Sequence, residues 1–188
     1  MFAAFRQRLG RSADRLRSCR QFAISKKASA AVEFGLVAAP FFALLMALFQ
    51  TALVFFAGRV LDVTTLQASR YILTGQAQNS SYTQTQFATY VCNNTFALFT
   101  CANLMVNVNT YNSFSSAVTS APTLTFNKKT GAVTNTWSYS PGGPNDIVVV
   151  QVMYQWPVIG GPLGFTLSNL SNGDRLLMST AVFKNEPY

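Results

Sequence analysis

The residues able to do chemistry in this chain are few. There is no histidine, which excludes Ser-His-Asp and Cys-His nucleophiles and any His-ligated metal site. Beyond residue 75 the acids are Asp146, Asp174 and Glu186. A two-carboxylate hydrolase would need a pair of such groups, yet two of the three sit beside turn signals and their spacing suggests no pairing. The stretch Gly160-Gly161-Pro162-Leu163-Gly164 lacks a phosphate-cradling pattern. Cys92 and Cys101 do not have the C-x-x-C spacing of a redox pair. Glu33 is the informative residue, in the context Lys26-Lys27-Ala28-Ser29-Ala30-Ala31-Val32-Glu33-Phe34. An unpaired charge there opposes apolar surroundings, by roughly 2.5–3.5 kcal/mol at mid-membrane and less near the edge. A first-turn glutamate stabilised by the helix dipole and reaching toward headgroups fits equally well.

The elements around Glu33 explain its setting. The chain has 188 residues, 49% hydrophobic and 11% charged, against roughly 25% charged in an ordinary soluble domain. This excludes disorder and argues for a membrane-linked chain. The net charge of +8 is concentrated in residues 1–28, where Arg6, Arg8, Arg11, Arg15, Arg17, Arg20, Lys26 and Lys27 face Asp14 alone. The remainder is nearly neutral and offers no basic face to nucleic acid. Residues 34–58, FGLVAAPFFALLMALFQTALVFFAG, carry no charge. As a helix these 25 residues measure about 37 Å, enough to cross a hydrocarbon core of about 30 Å with tilt. Pro40 is tolerable in such a helix. Basic residues before the span, and only Arg59 and Arg70 soon after it, place the N-terminus in the cytoplasm and the body outside. A secretory signal peptide would have a shorter apolar core and a small-x-small cleavage site. Phe2, Phe5, Leu9, Ala13 and Leu16 recur at helical spacing in the basic arm, which suits either a lipid-surface helix or a solvated tail.

Basic residues, a small residue, four uncharged residues, Glu33, an aromatic and then an apolar helix together resemble a type IV prepilin processing site. More narrowly, KASAAVEFGLVAAPFFALL resembles the TadE-like pseudopilins of the tight-adherence (Flp) pilus system. The ending Lys184-Asn185-Glu186-Pro187-Tyr188 is similar to a tail common in that family, and so is Leu66-Gln67-Ala68-Ser69-Arg70-Tyr71 followed by Gly75. The resemblance touches residues 27–75 and 141–188. It implies cleavage between Ala28 and Ser29 by a prepilin peptidase, with Ala28 standing where such sites mostly carry glycine. Glu33 would then be the fifth mature residue, followed by Phe34, and would pair with the α-ammonium of a neighbouring subunit in a low-dielectric bundle.

Past the span, Val60, Leu61, Leu66, Ala68, Ile72 and Leu73 suit a helix with one packed stripe, closed by Gly75 as a left-handed cap. Arg70 is expected to make a structural salt bridge, with a contact between subunits as the alternative. From Gln76 onward the composition turns polar and β-branched. Leu104–Tyr111, residues 123–126 and 134–139, Ile147–Trp156 and residues 176–183 read as strands, with a turn at 127–131. The apolar run 157–167 is too short and broken to span a bilayer. Cys19 belongs to the cytoplasmic arm. Cys92 and Cys101 lie in the external body, where an oxidising compartment favours their disulfide.

The sequence thus predicts an α+β protein: a basic cytoplasmic leader (1–28), a transmembrane and amphipathic helix (29–75) and an extracytoplasmic β-rich domain (76–188). The resemblance implies a non-enzymatic minor pseudopilin of the inner membrane, acting in assembly of the pilus. Its expected partners are the membrane, the prepilin peptidase, other pilins and pilus platform proteins. No cofactor, metal, nucleic acid or small-molecule substrate is expected. The residues alone leave open a second reading, a single-pass membrane-anchored periplasmic binding protein unrelated to pili.

Overall fold

The structure, a computed structural model, describes residues 26–95, 98–127, 129–161 and 164–188. The basic arm with its helical pattern, Cys19, Phe96, Lys128, Pro162 and Leu163 lie outside the described residues. In order, the elements are α1 (Lys26–Leu73), α2 (Gln76–Asn79), α3 (Gln84–Asn93), β1 (Leu104–Tyr111), β2 (Ile147–Trp156) and β3 (Arg175–Lys184), with short 3-10 turns at Cys101–Asn103 and Phe114–Ser116. The chain divides into two compact units, Met1–Leu48 and Phe49–Tyr188.

Helix α1 runs for 48 residues with Pro40 inside it. Its sequence is dominated by Ala, Leu, Phe and Val, so the helix carries apolar surface on every side rather than along one stripe. From Ala30 to Leu73 it is long and apolar enough to cross a membrane, with a mean hydropathy of 2.1 in its most apolar window, none of which is buried. The helix ends as the sequence predicts. The Gly75 N–H donates to Ile72 O at 2.9 Å, and Gly75 takes a left-handed φ of 76° that a side chain would resist.

Within the second unit, α1 acquires a buried stripe at Val54, Ala57, Leu61, Ala68 and Ile72, the 3.6-residue spacing of one helix face. This stripe belongs to the same core as Val106 and Val108 of β1, Val148, Val150 and Val152 of β2, and Leu177 of β3. The sheet is antiparallel in the order β1-β2-β3. Val106 pairs with Val152 and Val108 with Val150, while Val150 pairs with Ala181 and Tyr154 with Leu177. Odd-numbered Val149, Gln151 and Met153 of β2 point to the other face, yet they too are buried. A central strand enclosed on both faces explains the unbroken apolar run IVVVQVMYQW. Gln151, the polar exception, accepts from Asn107 Nδ2 at 3.1 Å and donates to Ser120 O at 3.2 Å.

Two sequence expectations change here. Residues 123–126 and 134–139 are not strands. They contribute single bridges, Phe126 with Val133 and, in parallel, Tyr139 with Val108. Polar side chains take the ladder's place. Asn135 Oδ1 accepts from the Thr125 N–H at 2.7 Å, and Asn135 Nδ2 donates to Thr123 O at 3.0 Å. Such local side-chain bonds compete with regular pairing. Residues 84–93, which read as part of a polar, β-branched region, instead form α3. Thr83 and Gln86 make a reciprocal capping box, and Phe87 and Val91, one turn apart, are fully buried. The T-x-x-Q signature and the i, i+4 apolar pair were both present in the sequence.

Candidate functional site

The segment expected to be processed, around Ala28 and Ser29, occupies the start of α1. Ala28 and Ser29 fall in its first turn, whose N–H groups have no intrahelical acceptor, so the backbone there opens at little cost. Ser29 and Glu33 are four residues apart and share a helix face. Glu33 and Phe34 are both exposed. The arrangement places a carboxylate one turn from the nitrogen that cleavage after Ala28 would free, at the rim of an apolar rod. Arg70, by contrast, is exposed and makes no ion pair among the described residues, contrary to the expected structural bridge. Among the described residues, Arg59 pairs with Asp62 at 3.5 Å. Arg70 lies in the last turn of α1, where a cation complements the helix dipole without a carboxylate partner.

Cys92 at the end of α3 and Cys101 at the following 3-10 turn are joined as a disulfide, with Cα atoms 5.6 Å apart. The bond fixes α3 to the start of β1. Phe99, also buried, packs edge-on against Tyr154 of β2 at 4.9 Å.

The C-terminal tail does something that sequence reasoning registered only as a family cue. Asn185 is buried, and its Nδ2 donates to Pro141 O at 2.9 Å and Gly143 O at 3.0 Å. Its N–H donates to Asp146 O at 2.8 Å, and the Glu186 N–H donates to Leu73 O at 3.0 Å, satisfying a helix-end carbonyl of α1. The Tyr188 ring lies against Gly75 so closely that a Cβ there would fall 2.3 Å from its Cγ. The tail therefore latches three things together: the end of α1, the turn before β2, and β3. The signal was the pairing of a Gly/Pro-rich turn with a terminal Asn, whose amide can satisfy several turn carbonyls at once.

The remaining acids serve turns. Asp146 Oδ2 accepts from the Gly143 N–H at 2.8 Å, and Asp174 Oδ2 accepts from Asn172 Nδ2 at 2.9 Å. Among the described residues, no group of three or more His, Cys, Asp or Glu side chains could hold a metal. Among the described residues, Tyr139 has its phenol pushed up to about 12, by burial first and then by Tyr71 and Tyr82. It belongs to an aromatic cluster in which Tyr71 stacks on Tyr90 at 4.5 Å and Phe87 meets Tyr139 at 5.3 Å. These rings join α1, α3 and the edge of β1.

No curated protein and no solved structure matches the chain. Residues 28–70, from the small residue before the cleavage candidate through Glu33 and the apolar run to Arg70, match the family model of the TadE-like protein, and this segment is TadE-like.

Proposed function

We propose that this protein is a minor pseudopilin of a tight-adherence pilus, a structural component that acts by packing. The observation that carries the reading is the TadE-like match over residues 28–70, with Glu33 at the foot of a helix that exposes apolar side chains all round. A prepilin peptidase removes residues 1–28, leaving Ser29 as the N-terminus. The helix crosses the inner membrane with the basic arm inside and residues 76–188 in the periplasm. The Cys92–Cys101 disulfide supports that orientation, because such bonds persist in oxidising compartments. In the assembled pilus base or filament, Glu33 meets a neighbour's α-ammonium away from water, where opposite charges attract strongly. The greasy flank of α1 packs on other pilin helices and on platform proteins.

The test is genetic and chemical together. Glu33→Ala abolishes piliation while leaving the protein membrane-inserted, and intact-mass measurement of the wild-type protein finds a chain beginning at Ser29. Normal pili in the Glu33→Ala strain, with Met1 still present on the native protein, would return the chain to a plain single-pass anchor for a periplasmic domain.

A further inference from the structure

The loop between β2 and β3 is apolar where a soluble loop would be polar. Residues 157–173 contain no Asp, Glu, Lys or Arg. Ile159 is 75% exposed and Phe165 38%. The loop returns beside α1 at a telling height. Gln50 Nε2 donates to Ile159 O at 2.7 Å, and Gln50 lies inside the uncharged run, eight residues before Gly58. That is about 12 Å of helix. The run of 25 residues exceeds a 30 Å hydrocarbon core by only about 7 Å. Even with all of that excess on the head side, the Gln50–Ile159 contact lies about 5 Å below the hydrocarbon edge.

Backbone at that depth must have its polar groups satisfied by protein. Two of the loop's described backbone groups are satisfied in this way. Gln50, one of the few polar side chains of the run, takes the Ile159 carbonyl, and the Gly161 N–H donates to Phe165 O at 2.7 Å. Gly161 allows that closure, since a Cβ there would lie 2.9 Å from Phe165 O. Above this level the chemistry changes. Trp156 precedes the loop, and tryptophan favours the membrane–water interface. Arg59, about 13 Å further along the helix than Gln50, lines a cavity of about 380 Å3 with Arg175, Val54, Leu167, Leu177 and Asp62, the carboxylate it pairs with. Charged side chains over an apolar floor suit the headgroup level of a bilayer.

We infer that this loop is a second membrane contact: Ile159 and Phe165 sit in the head-side leaflet of the bilayer, and the Gln50–Ile159 bond holds them there. The head is then seated on the lipid surface rather than carried above it on a free stalk. The inference rests on α1 spanning the membrane as proposed above, so the experiment reads both.

The full chain, with Cys19→Ser and the native disulfide kept, is labelled with an environment-sensitive fluorophore at one added cysteine and reconstituted into phosphatidylethanolamine–phosphatidylglycerol vesicles. Ile159→Cys is the probe, Leu44→Cys reports the span, and Ser115→Cys is a head position away from the loop. The expected result is that a nitroxide at a shallow acyl position removes more than half of the emission at 159 and aqueous iodide removes little, with the reverse at 115. Quenching of 44 but not of 159 by lipid nitroxide overturns the inference and leaves the span standing. Protection of 159 from both quenchers overturns it too, because protein then covers the loop. Iodide quenching at 44 and 159 alike removes the span and the inference together.

Discussion

Helix α1 contains two stretches of similar composition and opposite fate. Between Val32 and Phe49 every large apolar side chain is 44–72% exposed. Between Val54 and Ile72 one face is buried against the sheet, with Ala57, Leu61 and Ile72 almost sealed from solvent. Helix propensity does not separate the stretches. The second half has a valine-rich sheet to cover one of its faces, while the first carries its large apolar side chains exposed. Exposed apolar area carries a penalty in water of roughly 25 cal/mol per Å2, so the first half has a surface suited to lipid or to other helices. The two halves should therefore respond differently to the same kind of mutation.

The largest effect expected is in the head's core. Phe87→Ala empties a fully buried site and should lower the stability of the head by about 3–5 kcal/mol. Phe42→Ala removes the same ring from a site 58% exposed and should leave that stability unchanged. Trp137 and Trp156 are the only tryptophans and both belong to the head, so their fluorescence in a urea titration of the detergent-solubilised chain reads it alone. Equal shifts in the two variants would break the comparison.

Next in size is the disulfide. Cys92→Ser opens a loop closed over nine positions, which the chain-entropy model values at roughly 2–3 kcal/mol. The same tryptophan signal should move to lower urea. A Cys92→Ser protein as stable as the wild type would mean that α3 is held by Phe87 and Val91 without the bond.

What the sequence made legible follows from which forces act locally. The long helix, its glycine stop and the three strands of the sheet are written as uninterrupted apolar runs and turn residues; the strands match to within a residue at their ends, and the helix, expected over 29–75, runs from Lys26 to Leu73. The two strands expected at 123–126 and 134–139 failed because β-branched residues there alternate with asparagines and threonines that bond the backbone themselves. Helix α3 was hidden by composition: Gln84 to Asn93 is polar and threonine-rich, and only its cap and the Phe87–Val91 pair announce it. Glu33 stood out as a carboxylate against apolar surroundings. Asn185 did not, because its role depends on a turn more than forty residues earlier being folded back onto β3.

The smallest effect is also the most specific to the head. The Tyr139 phenol is held at about 12, while in the unfolded chain it titrates near its ordinary value of about 10. Its folded pKa is raised, so its contribution is complete below about pH 10 and is lost as pH climbs toward 12, the interval where the unfolded chain has released a proton that the folded chain retains. Tyr139 is only half-buried, and solvent screening keeps the loss modest. Its hydroxyl has no hydrogen-bond partner among the described residues, so Tyr139→Phe should fold at neutral pH with stability near that of the wild type. Between about pH 10 and 12 the variant's urea midpoint should then fall less steeply than the wild type's. A residual slope remains, since Tyr82 and Tyr90 are raised as well. Glu33 is the sole acid or base between Lys27 and Arg59, so helicity of the exposed stretch should not change over that interval. Parallel alkaline slopes for Tyr139→Phe and wild type would show that the aromatic cluster joining α1 to α3 does not shield this ring, and that the buried and exposed halves of the helix differ less than their side chains suggest.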